Sequence, residues 1–96
     1  MITHKQALKY KAAKIRFEQE PTIRNFVRKY AAWVKMFEIP TLLSHARGKL
    51  EAAREIERME GDVAAAARKV LLVYCTPAYL AGATAAFTEW KSKHGN

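Results

Sequence analysis

Apolar side chains recur every three or four residues through most of this chain, and polar breaks divide the pattern into five segments. Each segment predicts a helix: residues 4–19, residues 23–38, a third that Thr41 or Ser44 caps and that runs to 60, residues 63–75, and residues 77–93. No alternating strand pattern competes, except in the apolar run 70–75, where the four preceding Ala residues favour helix. The expected fold is therefore all-α: one domain over residues 1–96, a compact bundle of about five helices joined by short loops, with the fourth and fifth helices at its centre.

The breaks have recognisable chemistry. Thr3 and Gln6 fit a capping box ahead of the first helix, and Glu20-Pro21-Thr22 ends that helix and offers Thr22 as the next cap. Pro40 biases Ile39 toward an extended conformation, so the second helix must stop before it. Gly61 supplies a left-handed residue and Asp62 a side-chain acceptor between the third and fourth helices. Thr76-Pro77 is a cap followed by proline at the first helical position, and His94-Gly95-Asn96 reads as a frayed tail.

Within the helices the pattern predicts faces. The first carries two apolar stripes, Leu8-Ala12-Ile15 and Tyr10-Ala13-Phe17, separated by Lys5, Lys9 and Arg16; one should be buried fully and the other in part. The second gathers Ile23, Phe26, Val27, Tyr30, Trp33, Val34 and Phe37 on one third of its wheel, with Arg24, Arg28 and Lys35 on the far side. The third should bury Leu42, Leu43, Ala46, Leu50, Ala53 and Ile56. Its Arg47, Glu51, Arg54, Glu55 and Arg58 read as a solvated, ion-paired face. Gly48 inside that helix marks a close contact, as does the small-residue strip Ala78-Gly82-Ala86 on the fifth, whose Leu80, Ala83, Phe87 and Trp90 should be buried.

Charge sharpens the picture. The net charge is +8, and residues 1–50 hold all of the excess, with eleven Lys and Arg against three Glu. Residues 51–96 carry six of each sign. A one-sided excess points to an anionic partner for the N-terminal half.

Other classes find little support. Cys75 is the lone cysteine, so no intrachain disulfide forms, and it has no His, Asp or Lys nearby to activate it. His4, His45 and His94 lie far apart and pair with no cysteine at ligand spacing, which leaves no metal site. No glycine-rich phosphate loop or paired catalytic carboxylate stands out, so neither enzyme activity nor a cofactor is expected. Residues 70–88 are uncharged over a length sufficient to cross a bilayer, but Thr76-Pro77, Gly82 and the many Ala residues make two packed helices the better reading. Met1-Ile2-Thr3-His4-Lys5 lacks the apolar run of a signal peptide, and a cytoplasmic location is the expectation.

The segment from Gly61 to Arg68 resembles the opening of the first helix in bacterial helix-turn-helix proteins of the Fis type. The turn glycine that should follow is replaced by Leu71, and the segment after Thr76 offers Ala, Gly, Leu and Phe in place of donors for base edges. The resemblance therefore implies no sequence-specific DNA readout.

The candidate site is the set Lys5, Lys9, Arg16, Arg24, Arg28 and Lys35, with Pro40 at the hinge beside it. Two functions fit these residues. The first is a small non-enzymatic accessory protein, of the kind phages and mobile elements carry, that binds and modulates a larger protein, such as a nucleic-acid-processing enzyme. The alternative is direct, non-specific contact with DNA or RNA. Tyr10 and Phe17 are the aromatics that flank the basic residues and could stack on bases.

Overall fold

The computed structural model describes residues 4–37, 40–72 and 76–94. It is an all-α bundle of five helices: α1 (His4–Gln19), α2 (Ile23–Val34), α3 (Pro40–Arg58), α4 (Val63–Leu72) and α5 (Pro77–His94). The expected roles of Thr3, Ile39 and Cys75 fall outside the described residues. Among the described residues no helix is long and apolar enough to cross a membrane.

The caps form as side-chain chemistry requires. Thr22 Oγ1 accepts from the backbone N–H of Asn25 at 3.2 Å, Asp62 Oδ1 from that of Ala65 at 3.0 Å, and Thr76 Oγ1 from that of Tyr79 at 3.3 Å. Each removes one orphan donor from a helix N-terminus. Several boundaries differ from expectation: α3 ends at Arg58 in place of 60, α5 at His94 in place of 93, and two others differ for a clear physical reason. α2 ends at Val34, four residues early, where Met36 and Phe37 donate to the carbonyls of Trp33 and Val34 in a tightened last turn. α3 opens on Pro40 itself, ahead of both Thr41 and Ser44, because proline at the first helical position forfeits a donor that has no intrahelical partner anyway.

The stop after α3 is also different in detail. The N–H of Gly61 reaches the carbonyl of Ile56 and that of Glu60 reaches Glu57, which together make a Schellman motif. In that motif the left-handed residue is Glu60, with φ 54°, and Gly61 follows it with φ 93°. The tail residue His94 likewise belongs to the folded body. It closes α5, stacks on Trp90 with ring centroids 3.6 Å apart, and places its ring nitrogens 3.0 Å from the Trp90 carbonyl and 2.7 Å from that of Pro21.

α3 and α5 form the centre, in place of the expected α4 and α5. α3 packs on α5, α2 and α4, while α1 reaches the bundle through α2. α4 is peripheral because its alanines bury little area; among its described side chains Val63, Ala66 and Val70 are buried. α3, flanked on several sides, buries Ala52 and Glu55 beyond its predicted face, whereas Leu42, expected in the core, is 46% exposed. Among the described residues the largest fully buried side chains are Phe17, Phe26 and Ile56, and Phe26 packs against Phe17, Tyr30 and Trp90 with centroids 5.0–5.1 Å apart. That aromatic cluster ties α1 and α2 to α5.

On α1 the Tyr10-Ala13-Phe17 stripe faces the bundle, with Tyr10 set against Trp33 at 4.6 Å. The other stripe stays outside: Leu8 is 51% and Ile15 44% exposed.

Candidate basic cleft

Because only three residues separate α1 from α2, the two helices fold back on one another, and the start of α1 meets the end of α2. Between them lies a cleft of about 430 Å³ lined by Lys5, Gln6, Lys9, Arg28, Ala31, Ala32 and Lys35. A second cleft of about 230 Å³, lined by Lys9, Ala12, Ala13, Arg16 and Arg28, shares Lys9 and Arg28 with it. The two make one continuous basic groove.

The groove follows directly from helical spacing. Lys5, Lys9 and Arg16 lie on one edge of α1, Arg28 on α2 stands seven residues before the α2 C-cap Lys35, and the alanines between them leave the floor shallow. Among the described residues no carboxylate lines either cleft and none of these five cations forms an ion pair. Their charge, unpaired among the described residues, is concentrated in a concave surface, which raises the local concentration of anions.

Five of the six predicted cations thus converge. Arg24 is exposed one turn before Arg28 and lines neither cleft. Pro40 opens α3, and neither its side chain nor the Ile39–Pro40 bond lies within the described residues. The two aromatics available for stacking are withdrawn. Phe17 is 1% exposed, and the Tyr10 ring is engaged by Trp33.

Compared with protein-family models, with curated proteins and with solved structures, the chain matches none. The groove must therefore be read from its own chemistry.

A second polar cluster lies behind the groove, and the sequence pattern did not reveal it. Lys29 is buried and its Nζ is 2.5 Å from Glu89 Oε2, while the Tyr30 hydroxyl donates to Glu89 Oε1. Both carboxylate oxygens are thereby used. Lys29 also lies over the rings of Tyr30 and Phe17, at 4.7 and 4.9 Å, so its charge is held by aromatic faces as well as by Glu89. Lys49 on α3 approaches the Tyr30 and Trp33 rings at 5.5 Å. Burial pushes the Lys49 amine below its ordinary value, and Lys29 adds to this while Glu89 opposes it. Burial raises the Tyr30 phenol most, followed by its bond to Glu89, and Tyr10 is raised in the same direction by burial and by Glu89.

The cluster is a bolt between α2 and α5. One signal for it was available: Glu89 is the lone acidic residue after Asp62, and Lys29 stands between Phe26 and Trp33 on the edge of the apolar face. Elsewhere, Glu55 on the supposedly solvated face of α3 is 8% exposed, with Oε2 2.5 Å from Arg58 and Oε1 without a hydrogen-bond partner among the described residues. Arg58 also holds Glu51 at 3.1 Å, and its guanidinium is raised by these two bonds. Among the described residues no group of three His, Cys, Asp or Glu could hold a metal ion.

Proposed function

We propose that this protein is a non-enzymatic docking module that holds an acidic segment of a larger protein in the α1–α2 groove and modulates that partner. The observation that carries the reading is the convergence of Lys5, Lys9, Arg16, Arg28 and Lys35 on a concave surface that, among the described residues, no carboxylate lines. Five cations that form no ion pair among the described residues, carried by α1, α2 and the α2 C-cap, recognise carboxylates as point charges and forks with little rearrangement of the backbone.

An acidic protein fits better than a nucleic acid, because single-strand binders set aromatic faces beside their cations. Here Phe17 is buried and Tyr10 is packed on Trp33. An accessory factor of phage or mobile-element type, acting on a nucleic-acid-processing enzyme, remains the setting in which a small basic module of this kind makes sense.

Fluorescence anisotropy decides between the two classes. A labelled oligo-glutamate peptide is expected to bind at about 50 mM salt and weaken at about 200 mM, and to bind more tightly than single-stranded DNA or RNA of equal charge. Tighter binding of either nucleic acid, or no binding of the peptide at the lower salt, overturns the proposal.

A further inference from the structure

The basic row of α1 has a second neighbour. On the side away from α2 it borders the stripe Leu8-Ala12-Ile15, whose two large side chains are about half exposed. At 100° per residue the centre of the row and the centre of the stripe lie about 70° apart on the helix. Lys11 fringes the stripe on its other edge.

Resting on the acidic-partner reading, we infer that the occupant of this surface is an acidic amphipathic helix lying along α1, with its carboxylates on Lys5, Lys9 and Arg16 and its apolar face on Leu8 and Ile15. The shape of the surface supports a rod. Lys5 to Arg16 spans about 16 Å and Leu8 to Ile15 about 10 Å, both parallel to the axis of α1, and a helix with its side chains is about 10 Å wide, enough to cover row and stripe together. Helices bind other helices through such i, i+7 anchors.

Charge decides the identity of the occupant. A second copy of this chain, paired antiparallel through the same stripe about a two-fold axis, would set Arg16 of one row between Lys5 and Lys9 of the other, and the exposed Glu18 of α1 lies on the Lys11 edge of the stripe, away from that row. A phosphate strand satisfies the cations and leaves Leu8 and Ile15 in water. An amphipathic acidic helix satisfies both.

Two peptides of identical composition test this with the full chain: one places Leu on a single helical face among Glu residues, and the other scatters the same Leu residues around the helix. The patterned peptide is expected to bind about tenfold more tightly than the scattered one, and Leu8→Ser with Ile15→Ser is expected to erase that difference while leaving the scattered peptide's affinity unchanged. Both residues are exposed, so circular dichroism of the double variant should match the parent. Equal affinity for the two peptides, or a preference that survives the double substitution, overturns the inference and leaves the acidic-partner reading in place. Failure of both peptides to bind overturns that reading too. Binding only to phosphatidylglycerol vesicles or to single-stranded DNA overturns both and assigns the surface to lipid or nucleic acid.

Discussion

Gly48 on α3 and Gly82 on α5 each stand against the backbone of the other's helix. A β-carbon at residue 48 would meet the carbonyl oxygen of Tyr79 at 2.0 Å, and one at residue 82 would meet that of His45 at 1.9 Å. The central crossing of the bundle is therefore backbone on backbone, and a single methyl group cannot enter without moving a helix.

Gly48→Ala and Gly82→Ala should accordingly destabilise the protein, although alanine favours an isolated helix by about 1 kcal/mol. Overpacking of this kind costs about 1–3 kcal/mol, and the blocked atoms here are backbone, which places the expected loss at the upper end. Urea denaturation of the two variants measures it; a gain in stability for either would mean that the helices cross elsewhere.

Replacing the left-handed Glu60 should have the opposite effect. A non-glycine residue at φ 54° carries a strain of about 1 kcal/mol, so Glu60→Gly is expected to raise stability by roughly 0.5–1 kcal/mol, and Gly61→Ala, at φ 93°, to lower it. Denaturant midpoints compared across the pair check both signs.

The bolt between α2 and α5 predicts a dependence on which partner is removed. Glu89→Ala leaves the Lys29 ammonium buried without its carboxylate and should cost about 2–4 kcal/mol, somewhat below the full range for buried pairs because the Glu89 side chain is 31% exposed. Lys29→Met, which keeps the volume and removes the charge, should cost less. A smaller loss for Glu89→Ala than for Lys29→Met would contradict the assignment of Lys29 as the buried member.

The same cluster sets an alkaline limit. Tyr30 and Tyr10 hold their protons more tightly folded than unfolded, so their contribution is complete below the ordinary tyrosine value of 10.0 and is lost as pH rises above it. Lys49 works in the other direction, since its lowered value makes the folded state gain as pH approaches 10.5. Stability should therefore hold or rise slightly up to about pH 10 and then fall, and Tyr30→Phe should flatten the fall. Denaturant midpoints from about pH 8 to pH 11, with tyrosinate absorbance followed in parallel, test the window. A parent and a Tyr30→Phe protein with the same alkaline slope would remove Tyr30 from this role.

Much of this architecture was legible in the chain. The ends of α1, the caps at Thr22, Asp62 and Thr76, and the close approach at Gly48 and Gly82 follow from local rules, and so does the convergence of Lys5, Lys9, Arg16, Arg28 and Lys35 once α1 folds back on α2. What escaped depends on tertiary placement. Both stripes of α1 are apolar, and the choice between them was made by the Phe26 and Trp33 rings that meet Phe17 and Tyr10. Lys29 was assigned to no face and Glu55 looked like a surface charge, because helical periodicity cannot show that a partner sixty residues away, or a helix packed on several sides, will cover them. α4 was placed too near the centre because its composition is apolar while its side chains are small.

The claim that the groove, and not net charge, recognises the partner is tested most directly by two charge-matched triple variants. Lys9→Glu, Arg28→Glu and Lys35→Glu reverse the cleft; Arg68→Glu, Lys69→Glu and Lys91→Glu reverse three exposed cations outside it. Both sets change the net charge equally. With the oligo-glutamate peptide at about 50 mM salt, the cleft variant is expected to lose binding by a factor on the order of a hundred and the control to stay within a few-fold of the parent. Equal losses in the two variants would contradict the site.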